Sequence, residues 1–145
     1  MVLVINQFFM MDVNMLSIVL AAVAGMIVGM TWYTPKIFGA QWMKLAGVTP
    51  EMAESGKKNM MQSVGIAFFA NLVSAYVIAQ FAAISGATTV VDGVMLGFWL
   101  WLGLQMPINI GQVLWEQRPW KIFAINGAYW LVSAIVMATV ITLMR

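Results

Sequence analysis

The sequence contains no cysteine and no histidine. The first absence excludes disulfides, thiolate nucleophiles and thiolate metal ligands. The second removes the side chain that most often serves as an acid–base catalyst or metal ligand near neutral pH. Charge is almost as scarce: Asp, Glu, Lys and Arg make up 8% of 145 residues, against about 25% in ordinary soluble domains. So few charges cannot cover a hydrophobic core with a solvated surface. With 63% hydrophobic residues and a mean hydropathy of +0.91, lipid is the solvent that this composition fits. The length accommodates one domain, and residues 1–145 are read as a single transmembrane domain.

The places where charge is missing say more than the amount. Twelve charged residues leave four uncharged runs, 13–35, 59–91, 93–115 and 122–144. Three of the runs hold 23 residues and the second holds 33, while a hydrocarbon core of about 30 Å takes ~20 residues of helix. Each run therefore holds one span, and none holds two. The predicted spans are about 13–32, 61–84, 91–114 and 122–143. Helices are required because lipid offers backbone groups no partner outside their own segment, and the alternation of a membrane barrel strand is missing. The first span lacks a positive flank and exceeds the apolar stretch of a cleaved signal, so it is expected to stay in the mature protein. Residues 1–10 are apolar but too short to cross, and are read as an extension lying at the interface; Met11 is an equal candidate for the start.

The seven Lys and Arg flank the spans, which is a membrane pattern and argues against a nucleic-acid partner despite a pI near 9.2. Lys36, Lys44, Lys57 and Lys58 fall between spans one and two, and Arg118 and Lys121 between spans three and four. Only Arg145 falls on the other side. Positive loops stay in the cytoplasm, so both termini are expected outside. The long 1–2 loop carries Phe38, Trp42 and Leu45 on one helical face, with Lys36 and Lys44 able to reach headgroups. A short interfacial amphipathic helix is expected there. Thr49, Pro50 and Glu51 then read as N-cap, first helical residue and first-turn acid of another short helix. Trp32, Phe38, Trp42, Trp115 and Trp120 are the expected interfacial anchors. The expected fold is an all-α bundle of four transmembrane helices built as two hairpins.

Residues 32–43, Trp-Tyr-Thr-Pro-Lys-Ile-Phe-Gly-Ala-Gln-Trp-Met, form a distinctive stretch, followed later by Glu116-Gln-Arg-Pro119 and Asn126-Gly-Ala-Tyr129. In these motifs the chain resembles the prokaryotic four-span membrane family known only as domain of unknown function 1761. The resemblance covers about residues 11–144 and leaves 1–10 outside. It implies a four-helix membrane fold and supplies no activity, so no catalytic residue carries over.

Chemistry within the spans is confined to neutral groups. Gln105, Asn109, Gln112 and Glu116 fall at i, i+4, i+7 and i+11 along span three, one stripe of a helix. Pro107 lies inside the stripe and frees the carbonyl one turn earlier, near Gly103. Asn71 and Ser74 in span two, and Asn126, Tyr129 and Ser133 in span four, are available as partners. Trp99, Trp101 and Trp130 lie deep, and an indole N–H in lipid needs an acceptor, so some should turn inward. Two uses of this polar–aromatic set stand open: buried amides that hold helices together, or a solute site of the kind that transporters build from broken helices. No ionisable residue lies deep in a span, which argues against proton-coupled export and against acid–base catalysis there. An enzyme is not expected, nor is a cofactor or metal; the 14 Met read as apolar filler. Gly25-Met-Ile-Val-Gly29 and Gly93-Val-Met-Leu-Gly97 are close-packing faces for use within one chain or between chains. The leading expectation is a helix-packing protein, acting as a homo-oligomer or an accessory subunit of a larger membrane complex. The alternative is a channel or facilitator for a small neutral or amphipathic solute.

Cysteine labelling tests the orientation directly, since the chain has none of its own. Ser55→Cys should react with a membrane-impermeant maleimide only after cells are permeabilised. Labelling of intact cells would reverse the topology.

Overall fold

The computed structural model describes residues 12–145, so the expected extension at 1–10 and Met11 lie outside the described residues. Helix α1 spans Met15–Trp32. A π-helical turn, Pro35–Gly39, leads into the short helices α2 (Ala40–Ala46) and α3 (Pro50–Lys58). Helix α4 is Met60–Ser85. The third long segment is broken into α5 (Val90–Leu100), a π-helical turn at Trp101–Gln105, and α6 (Met106–Trp115). Helix α7 is Trp120–Leu143. No strand occurs among the described residues. Four segments, Met15–Trp32, Met60–Ser85, Val90–Trp115 and Trp120–Leu143, are long and apolar enough to cross a membrane.

The ends of these helices follow from a few polar residues. Asn14 accepts from the backbone N–H groups of Leu16 and Ser17 and caps α1. Its amide also donates to the Met144 carbonyl at 2.8 Å, tying the start of α1 to the end of α7. The Thr49 hydroxyl accepts from Met52 N–H, with Pro50 in the first turn of α3, as the sequence predicts. Asp92, a lone acid between two apolar runs, completes a capping box: Thr89 accepts from its backbone N–H, and its carboxylate accepts from the N–H groups of Thr88 and Thr89. Gly86, at φ +69, ends α4 in the left-handed conformation that glycine adopts without strain. Arg145 then donates to the carbonyls of Ala82, Ala83 and Ala87, placing a cation on the negative end of α4. These bonds gather residues 14, 82–87 and 144–145 at one end of the bundle, called here the turn end.

The break in the third segment sits where Pro107 removes a donor. The N–H of Met106 reaches back five residues to the Trp101 carbonyl, which widens the turn, and the Asn109 amide donates to the Gln105 carbonyl at 2.9 Å. One extra residue in the turn accommodates the proline ring without leaving the helix. Trp101 turns inward and donates to the Gly127 carbonyl at 2.9 Å, whereas Trp99 stays exposed.

Helix α7 is the hub and packs against α1, α4, α5 and α6. Both glycine pairs are used inside the chain. A Cβ on Gly93 would stand 2.6 Å from the Thr139 Cα, and one on Gly97 2.6 Å from the Ile135 Cα, so α5 lies backbone-to-backbone on α7. A Cβ on Gly25 would stand 2.6 Å from Asn71 Oδ1 and 2.8 Å from Met137 Sδ, and one on Gly29 would meet the Tyr129 hydroxyl at 3.1 Å. The choice that the sequence leaves open, within or between chains, goes to the interior for all four.

Burial is uneven along the bundle. Helix α1 buries Ser17, Ile18, Ala21, Ala22 and Gly25, all toward the turn end, and α4 buries Ala75, Ile78, Ala79, Gln80 and Ala82. Together with Met137, Ala138 and Ile141 of α7 the apolar members form one alanine-rich cluster. Between 60 and 74, α4 buries no residue at all. Along α4 the bundle is tightly closed in one half and splayed in the other; α6 and α7 still bury Asn109, Val113, Ile122, Ile125 and Gly127 in the splayed half.

Adding one methyl group at two glycines separates packing from propensity. Gly97→Ala should destabilise the chain by about 1–3 kcal/mol through overpacking against α7. Gly65→Ala, where nothing lies within 4 Å, should stabilise it by up to about 1 kcal/mol through helix propensity. Equal effects in detergent unfolding would contradict the α5–α7 contact.

Candidate functional site

The polar residues singled out in the sequence lie in three separate places. A helix rises 1.5 Å per residue, so a stripe running from Gln105 to Glu116 cannot converge on one point. In the splayed half, a gap of about 290 Å³ opens between α1, α4 and α7, lined by Met26, Gly29, Ser63, Ala67, Asn71 and Tyr129. A second gap, of about 210 Å³, lies between α4 and the π-helical turn, with Ser74, Trp101 and Gln105 on its walls. Gln112 and Asn126 meet elsewhere, at the end where the 33–59 loop lies, in a concavity of about 220 Å³ that also includes Trp42. Asn109 is buried and lines none of these; its amide serves the Gln105 carbonyl.

Asn71 is held from two sides. Its amide donates to the Ala67 carbonyl at 2.9 Å and to Met26 Sδ at 3.4 Å, while its oxygen lies where a Gly25 Cβ would be. The absence of a side chain at Gly25 is what lets this amide enter the α1–α4 contact. Every group lining the 290 Å³ gap is neutral, so it suits a solute that brings no net charge. Among the described residues, no three Asp or Glu side chains gather as metal ligands would.

The loop end is organised by aromatic rings. Trp32 donates to the Ile125 carbonyl at 3.1 Å and lies against Phe38, with ring centroids 4.7 Å apart. Tyr33 donates to Asn126 Oδ1 at 2.9 Å and meets the rings of Trp42 and Tyr129 edge-on, at 5.7 and 5.2 Å. Burial, then the neighbouring Tyr129, pushes the Tyr33 hydroxyl up to about 12, so it remains a donor at any physiological pH. Of the expected anchors, Trp115 and Trp120 are well exposed, whereas Trp32, Phe38 and Trp42 are half-buried in contacts with the bundle. A Cβ on Gly39 would collide with the Tyr33 carbonyl, at 2.1 Å, so the π-helical turn folds tightly back on the end of α1.

Two polar residues escape sequence reasoning. Gln80 is completely buried, and among the described residues neither polar atom of its amide has a hydrogen-bond partner; the enclosed Thr139 hydroxyl likewise has none among them. Such groups are costly in an apolar interior. The only sequence signal is a glutamine inside a long apolar run, with nothing to tell whether it faces lipid or the interior.

A family model described as protein of unknown function (DUF1761) matches residues 16–142. Neither curated proteins nor solved structures contain a match.

The aromatic contacts yield a paired test. Trp42→Glu should lower the melting temperature in detergent sharply, because it buries a carboxylate against Tyr33. Lys44→Glu, on the exposed side of α2, should change it little. Equal tolerance of the two would mean that α2 does not dock on the bundle.

Proposed function

Since the chain belongs to that family of unknown function, we propose a role from its own geometry: a multi-pass protein of the prokaryotic cell membrane that admits a small neutral or amphipathic solute. In this reading both termini lie outside, residues 33–60 lie at the cytoplasmic face with α2 as an interfacial helix, and the helices form two hairpins. The splayed half then faces the cytoplasm. A solute enters the gap beside Asn71 and Tyr129, and passage requires the alanine-rich half to part. The protein is a facilitator and not an enzyme.

One observation carries this reading: residues 60–74 of α4 bury nothing, while the same helix from Ala75 to Ala82 is packed to closure. The α4 side of the bundle is thereby open at one end and closed at the other, with neutral groups lining the gap. Each gap falls below the ~300 Å³ at which ordinary ligand pockets begin, which limits the solute to a few heavy atoms or to one chain of an amphipath.

The same stretch supports a second reading, a helix-packing subunit of a homo-oligomer or larger membrane complex. Met61, Ile66, Phe69 and Val73 are exposed there, a face that another helix could cover. The glycine pairs no longer argue for it, being consumed within the chain.

Flux into proteoliposomes, read with the mass of the purified particle, separates the two. Ala67→Trp fills the first gap and should abolish uptake of small neutral solutes with the melting temperature retained. Asn109→Leu should keep uptake and cost about 0.6 kcal/mol, a typical membrane hydrogen bond. A particle of fixed higher stoichiometry with no flux would replace the facilitator by the packing subunit.

A further inference from the structure

The concavity at the loop end is chemically unlike the gaps between the spans. It holds about 220 Å³ and brings Trp42 and Ile122 together with Gln112, Glu116, Arg118 and Asn126. It therefore has an apolar wall, two amides and one charge of each sign.

Its donors are unused among the described residues. Tyr33 donates to Asn126 Oδ1, which fixes the amide so that its NH₂ points away from the tyrosine, and no acceptor for that NH₂ occurs among the described residues. The Gln112 side-chain amide has no hydrogen bond among them either; its backbone carbonyl instead accepts from the N–H groups of Glu116 and Arg118. Gln117, between those two, stands at φ 53, a left-handed conformation rarely adopted by a residue with a side chain. That strained turn folds the chain back and sets Glu116 and Arg118 side by side on the rim. Their own contact is long, 3.5 Å from Arg118 Nε to Glu116 Oε2, with both side chains about half exposed. Such an exposed pair is worth little and opens readily. The terminal guanidinium nitrogens of Arg118 have no partner among the described residues.

Three donor groups lining one concavity suit phosphate oxygens. An acid at 3.5 Å from the base suits an ammonium joined to that phosphate. The exposed indoles of Trp115 and Trp120 flank the Glu116–Arg118 turn in sequence, which sets it at headgroup depth. We propose that this pocket binds the phosphoethanolamine headgroup of a membrane phospholipid, with the phosphate on Arg118, Gln112 and Asn126, the ammonium on Glu116, and the first carbons of the lipid against Trp42 and Ile122. The site is independent of the solute gap.

Native mass spectrometry of the purified full chain, given phosphatidylethanolamine and phosphatidylglycerol in equal amounts, tests it. The protein should retain one phosphatidylethanolamine, preferred about tenfold, as one charge-assisted bond allows. Glu116→Gln should erase that preference, and Arg118→Gln should lower retention of both lipids by about tenfold or more. Lys121→Gln, which removes a nearby cation outside the pocket, should change neither. Retention that falls as far in Lys121→Gln as in Arg118→Gln would reduce the site to diffuse surface charge and overturn the proposal. So would a preference that survives Glu116→Gln, or displacement of the lipid by an equal concentration of soluble phosphoethanolamine, which would make the free headgroup the ligand.

Discussion

The contact on which most of the structure depends is the approach of α5 to α7 at Gly93 and Gly97. Helices in an apolar solvent gain little from hiding hydrophobic surface, because lipid tails are as apolar as leucine. Dispersion and close fit must hold them together, and these grow steeply as backbones approach. With no side chain at either glycine, the helix surface of α5 lies against the Cα atoms of Ile135 and Thr139. That leaves the rest of α7 free to receive α1 and α4, and makes it the element that touches every other long helix.

From this hub follows the unequal packing of the two halves. Alanines at 21, 22, 75, 79, 82 and 138 let three helices crowd together toward the turn end, where Asn14 and Arg145 add bonds between distant parts of the chain. Toward the loop end the residues become larger and more polar: Met26, Met30, Asn71, Tyr129. Gly29 makes room for the Tyr129 ring and Gly25 for the Asn71 amide just where the alanines end. The change of packing thus follows side-chain volume along α1, α4 and α7, and needs no special loop to create it.

The long helices were legible from charge alone. Expected spans of 13–32, 61–84, 91–114 and 122–143 became Met15–Trp32, Met60–Ser85, Val90–Trp115 and Trp120–Leu143, since a run that excludes charge and satisfies its own backbone has few other forms. Caps spelled by neighbouring residues, such as Thr49 and Pro50, were equally plain, because donor and acceptor lie three residues apart. What could not be read were pairings across the fold. Gln105 shares polar character and similar depth with Asn71 and Tyr129, yet it faces one gap and they face another. Which way each turns is decided by the rotation of its helix about its own axis, and one residue of offset changes that by about 100°. Arg145 counted in sequence as a lone positive on the wrong side; in the fold it completes the end of α4.

The π-helical turn at Trp101–Gln105 stores that same rotation. It holds one residue more than an α-helical path would, so it acts as an azimuthal offset between the two halves of the third span. Up to Leu100 the helix is phased to set Gly93 and Gly97 on α7; beyond Gln105 it is phased to bury Asn109 and Val113. A chain of the same length wound as one unbroken α-helix would have conflicting phases. Keeping the glycines in contact would swing Asn109 and Val113 round by about 100° toward the lipid, and keeping those two inside would lift the glycines off α7. Length and winding in this short stretch are therefore coupled: the wide turn absorbs its extra residue so that both sides keep their phase, and a chain that lost the residue and the wide turn together would keep it too.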